Sequence, residues 1–148
     1  MTENMIQIIT AFIGSLGFAV FFGIKGKQIL LAGLGGALTW IVYLVIADYL
    51  GGIFVPNMLA AVFAALYAEI MARVNKAPAT IFLTASAVPL VPGGRLYYAM
   101  AGLVNDDKTA FAENGEAAVT IALAIALGFV IVALGSKYLY MLNKRKPR

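Results

Sequence analysis

Five apolar stretches follow one another with little between them, near residues 5–24, 29–47, 53–72, 79–104 and 117–136. A helix needs roughly 20 residues, at about 1.5 Å each, to cross a hydrocarbon core of about 30 Å, and each stretch reaches that length. Inside them only Glu69 and Arg95 carry charge. The runs are apolar on every side rather than alternating, which fits helices and not the strands of a membrane barrel. The expected fold is an all-α integral membrane protein, a single domain over 1–148 with five transmembrane helices, the fourth interrupted. Only 12% of residues are charged, against roughly 25% in a soluble domain, so little is left to build a water-soluble part.

The charges between the stretches alternate in sign. Lys25 and Lys27 follow the first, Arg73 and Lys76 the third, and Lys137, Lys144, Arg145, Lys146 and Arg148 form a basic tail over 137–148. Glu3, Asp48, Asp106, Asp107, Glu113 and Glu116 occupy the other connections, with only Lys108 among them. Positive residues stay in the cytoplasm, so five spans place the N-terminus outside and the C-terminus inside an inner (plasma) membrane. Met1–Asn4 lacks the basic start of a secretory signal, and the first stretch is expected to remain as a span. Tyr138 and Tyr140 suit an interfacial aromatic belt.

Histidine and cysteine are both absent, which excludes disulfides, thiolate or imidazole chemistry and metal sites built on them. No paired inward carboxylates are apparent, so neither an enzyme nor a cofactor is expected. The basic residues form loop-sized clusters rather than a continuous face, which argues against nucleic acid. No G-x-x-x-x-G-K-[ST] occurs, so the chain does not itself hydrolyse ATP.

Small residues recur at four-residue spacing: Ala60, Ala64, Ala68 and Ala72 with Ala61 and Ala65, then Ala118, Ala122 and Ala126, and also Gly33, Gly36 and Ala37. Such faces let membrane helices approach closely. Five helices make a thin bundle, so a homo-oligomer or a larger membrane partner subunit is expected.

The fourth stretch contains Val88-Pro89-Leu90-Val91-Pro92-Gly93-Gly94-Arg95. Each proline removes an amide donor and clashes with the preceding turn, and glycine weakens the helix further, so continuity fails near 89–95. Non-helical backbone at membrane depth is tolerated where protein or water covers it, and transporters use such breaks to meet substrate. Pro89, Pro92, Gly93, Gly94 and Arg95 are therefore candidates for a substrate pathway. A plain turn near the surface, with Arg95 reaching lipid headgroups, is the alternative. Glu69 and Arg73 are four residues apart in the order that favours a helical ion pair, and Glu69 is also a candidate for ion coupling. Thr80, Thr84 and Ser86 either line a pathway or bond their own backbone.

Ala68-Glu69, Ala72-Arg73, Lys76 and Pro78, then Val88-Pro89-Leu90-Val91-Pro92-Gly93 with Tyr97 and Met100, resemble the threonine/serine exporter family, specifically the small membrane subunit of its split two-component members. The resemblance implies a larger partner subunit and export of small polar metabolites, threonine and serine in one branch and dicarboxylates such as succinate in another. It makes Pro89, Pro92, Gly93 and Tyr97 motif residues, and so adds Tyr97 to the substrate-pathway candidates. The leading expectation is thus a subunit of a secondary exporter. The alternatives are a substrate-binding membrane subunit of an ATP-driven importer and a non-transporting scaffold.

Overall fold

A computed structural model describes residues 2–144, and the regular structure among them is entirely helical. Helix α1 spans Thr2–Phe21, α2 Lys27–Leu50, α3 Phe54–Asn75, α4 Ala79–Ala87, α5 Gly93–Val104 and α6 Lys108–Lys144, with a 3₁₀ turn at Val88–Leu90 after α4. Four of them, α1, α2, α3 and α6, are long and apolar enough to cross a membrane. Ala79–Leu90 and Gly93–Val104 pass the same test only as a pair bent by 52°, the geometry of a broken span or of a re-entrant segment, so the spans number four or five. The all-α membrane architecture follows from the solvent: in hydrocarbon a helix satisfies its own amides, whereas a lone strand cannot.

Contacts fix the helix directions. Gln7 meets Trp40, and Gly36 lies against Ser15, so α1 and α2 are antiparallel. Tyr67 donates a 2.7 Å hydrogen bond to the Leu31 carbonyl, which sets α3 antiparallel to α2. Gly128 of α6 lies beside Met58, Ala61 and Val62, and Phe129 and Val132 share a cavity with Ala65 and Ala68, so α6 runs parallel to α3. One end of this bundle carries Lys25, Lys27, Arg73 and Lys76 and is called here the basic end; the acidic end carries Glu3, Asp48 and the α5–α6 turn.

Two expectations need correcting. The gap left between the fourth and fifth apolar stretches, 105–116, is not a long loop: the connection is only Asn105–Asp107, because α6 already begins at Lys108. Asp107 accepts the Ala110 amide at 3.0 Å through Oδ1 and so caps the first turn, and Gly115 inside the helix does not stop it. At about 1.5 Å per residue, α6 is about 55 Å long. Its first turns therefore reach past the start of α3, and α5 folds back against them. The second correction concerns the small face of α6. Ala118 is buried, but Ala122 and Ala126 are exposed; the buried line is Ala124, Gly128 and Val132. Gly128 decides this, since only a residue without a side chain lets the α3 backbone come so close.

The other small faces are used as expected: Ala60, Ala61, Ala64, Ala65 and Ala68 of α3 are buried, as are Gly33, Gly36 and Ala37 of α2. Ala72 is half-buried and Tyr138 is exposed. The Tyr140 side chain and Arg145–Arg148 of the basic tail lie outside the described residues.

Candidate functional site

The break in the fourth span is short. Pro89 has no amide, so the Ala85 carbonyl loses its i+4 donor; Pro92 does the same to Val88, whose carbonyl accepts the Val91 amide at 3.1 Å instead. Regular helix resumes at once, with the Leu96 amide on the Pro92 carbonyl at 3.0 Å. Gly93 and Gly94 thus form the first turn of α5 rather than an unwound segment, and no heavy atom lies within 4 Å of where their Cβ atoms would stand.

Beyond the 52° bend the chain leaves the bundle. Helix α5 packs against α6, with Gly102 so close to the Phe111 amide and Asp107 carbonyl that no Cβ fits. Arg95 donates a 3.2 Å hydrogen bond to Asn114 Oδ1 at an exposed position. Tyr97 is exposed and stands edge to face with Tyr98 at 5.4 Å. Arg95 and Tyr97 therefore sit on the α5–α6 hairpin, whereas Pro89 faces the bundle. The sequence-derived site residues divide between these two places.

Beside Pro89 an open cavity of about 220 Å³ lies on the surface between α1, α2 and the 3₁₀ turn, lined by the exposed Gln7 and Thr10 and by Ala11, Trp40 and Pro89. Trp40 Nε1 donates a 3.2 Å hydrogen bond to Gln7 Oε1, joining α1 to α2 across its wall. Thr10 bonds the Ile6 and Gln7 carbonyls at 2.9 Å, which turns its methyl group outward from its own backbone. None of these lining residues carries a charge.

Three buried hydroxyls lie below this cavity, Ser15 and Ser86 about one turn further toward the basic end and Thr39 beside Trp40. Ser15, Thr39 and Ser86 are fully buried, and their oxygens have no hydrogen-bond partner among the described residues. A Cβ at Gly36 would overlap the Ser15 hydroxyl and come within 3.4 Å of the Pro89 ring; one at Gly35 would overlap the Ser86 hydroxyl and the Tyr67 ring. The two glycines thus let α1, α3, α4 and the turn converge on one stretch of α2. Nearer the basic end, Ala19, Ile24, Ala32 and Ala85 close the same three helices with an apolar plug, backed by Ile29 and Ile81.

A second cavity, of about 170 Å³, lies between α3, α4 and α6 near the basic end, lined among others by Glu69, Thr80, Leu83 and Phe129. The Glu69 carboxylate also holds Arg73 at 3.1 Å, the guanidinium side being 74% exposed. The expected ion pair is present, and its acid looks into the bundle while its base meets the surroundings. Thr84 bonds the Thr80 carbonyl at 2.6 Å and takes no part in either cavity.

Gln7, Ser15, Thr39 and Trp40 were not legible as site residues. Their one signal in the sequence was polarity inside otherwise apolar spans, and that signal does not say which residues face each other. A family model described as Threonine/Serine exporter, ThrE, matches residues 7–134. No match was found among curated proteins or among solved structures.

Proposed function

Since the chain belongs to the threonine/serine exporter family, we propose that it is the membrane subunit of a secondary exporter that passes a small, net-neutral amino acid through the cavity beside Pro89. The observation that carries this reading is an open, uncharged groove with a few polar groups on its wall at a two-proline helix break. A dicarboxylate would bring two negative charges into a site with no fixed cation, at a large desolvation cost. A zwitterion brings its own counter-charge, so threonine and serine fit the site and succinate does not.

The acidic end is read as external and the basic end as cytoplasmic. The cavity then lies in the outer half of the bundle, and the apolar cluster of Ala19, Ile24, Ala32 and Ala85 lies between it and the cytoplasmic side. Export would require α1 to move off that plug, the rocking motion expected around a broken span. A larger membrane partner is part of the proposal. It is supported by α5, which leaves the bundle and exposes Leu96, Tyr97, Met100 and Leu103.

The test is efflux of labelled threonine, serine and succinate from cells making this chain alone or together with a larger family subunit. Amino-acid efflux that needs both chains, with succinate retained, is the expected result. Succinate efflux without amino-acid efflux overturns the substrate reading, and no efflux in any combination overturns the exporter reading.

A further inference from the structure

The hydroxyls of Ser15, Thr39 and Ser86 need an explanation that packing does not supply. Where a helix crossing only requires a small side chain, alanine fills the position without burying a polar atom. Here three hydroxyls are buried and unpartnered, and each carries a desolvation penalty that alanine would avoid. They come from α1, α2 and α4: Ser15 stands at Gly36 and Ser86 at Gly35, and Thr39 lies about one turn along α2 toward the acidic end, beside Trp40 in the sequence. The Pro89 ring links this layer to the cavity above, since it touches the Gly36 position and also lines the cavity wall.

We propose that Ser15, Thr39 and Ser86 form the seat that reads the side-chain hydroxyl of the exported amino acid. The inference rests on the exporter reading and deepens it. Depth sorts the groups of the substrate: the ammonium and carboxylate stay in the cavity among Gln7, Thr10 and Trp40, because burying charge is far more costly than burying a neutral hydroxyl. A hydroxyl donates once and accepts twice, and protein hydroxyls rotate to supply either role, so the layer gains the partners it lacks when that group arrives. The seat is sealed from the basic end by the apolar plug, which keeps water from substituting for the substrate.

The test compares serine with alanine, which differs from it by that hydroxyl alone. Efflux of both is measured for the native chain in its functional assembly and for the variants Ser15→Ala, Thr39→Val and Ser86→Ala, made singly, with membrane abundance checked for each. The native chain is expected to prefer serine by at least about tenfold, and each variant to lower that ratio several-fold by reducing serine efflux more than alanine efflux. An unchanged ratio in all three variants, or an equal fall in both fluxes, overturns the proposal and returns the hydroxyls to a packing role. A native chain that exports serine and alanine equally also overturns it and leaves the exporter reading standing. A chain that exports neither defeats the exporter reading first.

Discussion

Gly128 is where the α3–α6 contact is most exposed to a single methyl group. A Cβ there would stand 2.7 Å from the Met58 carbonyl oxygen, 2.8 Å from the Ala61 Cβ and 3.1 Å from the Val62 amide nitrogen. Two of these three atoms are backbone of a continuous helix, so no rotamer change relieves the overlap and the two helices must separate. Overpacking of this kind costs about 1–3 kcal/mol, offset by at most about 1 kcal/mol from better helix propensity. Gly135, seven residues along the same helix, has nothing within 4 Å of its Cβ position, so Gly135→Ala brings the propensity gain alone. The assay is thermal unfolding of the purified chain in detergent for Gly128→Ala, Gly135→Ala and the native protein. The first is expected to melt lower by several degrees, at about 2–4 °C per kcal/mol, and the second at or slightly above the native value. Equal melting temperatures for the two variants would refute the parallel α3–α6 register on which the placement of the α5–α6 hairpin depends.

Three further outcomes follow from the same geometry. Replacing Pro92 and Gly93 by alanine removes a helix penalty of about 3 kcal/mol at the proline, so the 52° bend should straighten and efflux fall while the protein still accumulates in the membrane; normal flux would detach the break from transport. Arg73→Ala should change the unfolding free energy by less than about 1 kcal/mol, because the Glu69–Arg73 pair is an i,i+4 contact with an exposed guanidinium, and a larger loss in detergent melts would show a structural role for the pair. The chain has no cysteine, so Asn105→Cys and Lys25→Cys are clean topology probes: an impermeant maleimide should label the first on intact cells and the second only after permeabilisation, and the reverse pattern would invert the orientation.

The two-proline motif shows how far sequence reaches at the site. Pro89 and Pro92 broke the helix where their missing amides said they would, and the ion pair of Glu69 and Arg73 formed at its expected spacing, because both effects act within one or two turns of a single chain. Which way the pieces then faced was not local. Arg95 and Tyr97, two and four residues after Gly93, joined the α5–α6 hairpin, while Pro89 joined a cavity made by residues more than forty positions away in sequence.

The helical nature of the apolar stretches and the place of the break are determined by the sequence alone, since hydrocarbon forces each stretch to satisfy its own backbone. What only the tertiary structure decided is which polar groups meet. Gln7 finds Trp40, and Ser15 and Ser86 converge on Gly35 and Gly36; Gly128 displaces Ala122 and Ala126 from the α3 contact. In a bilayer, helix pairing is settled by close packing between small faces, and the chain offers several of these at the same spacing. The pattern of small residues makes close contacts possible, and the mutual fit of all six helices selects among them.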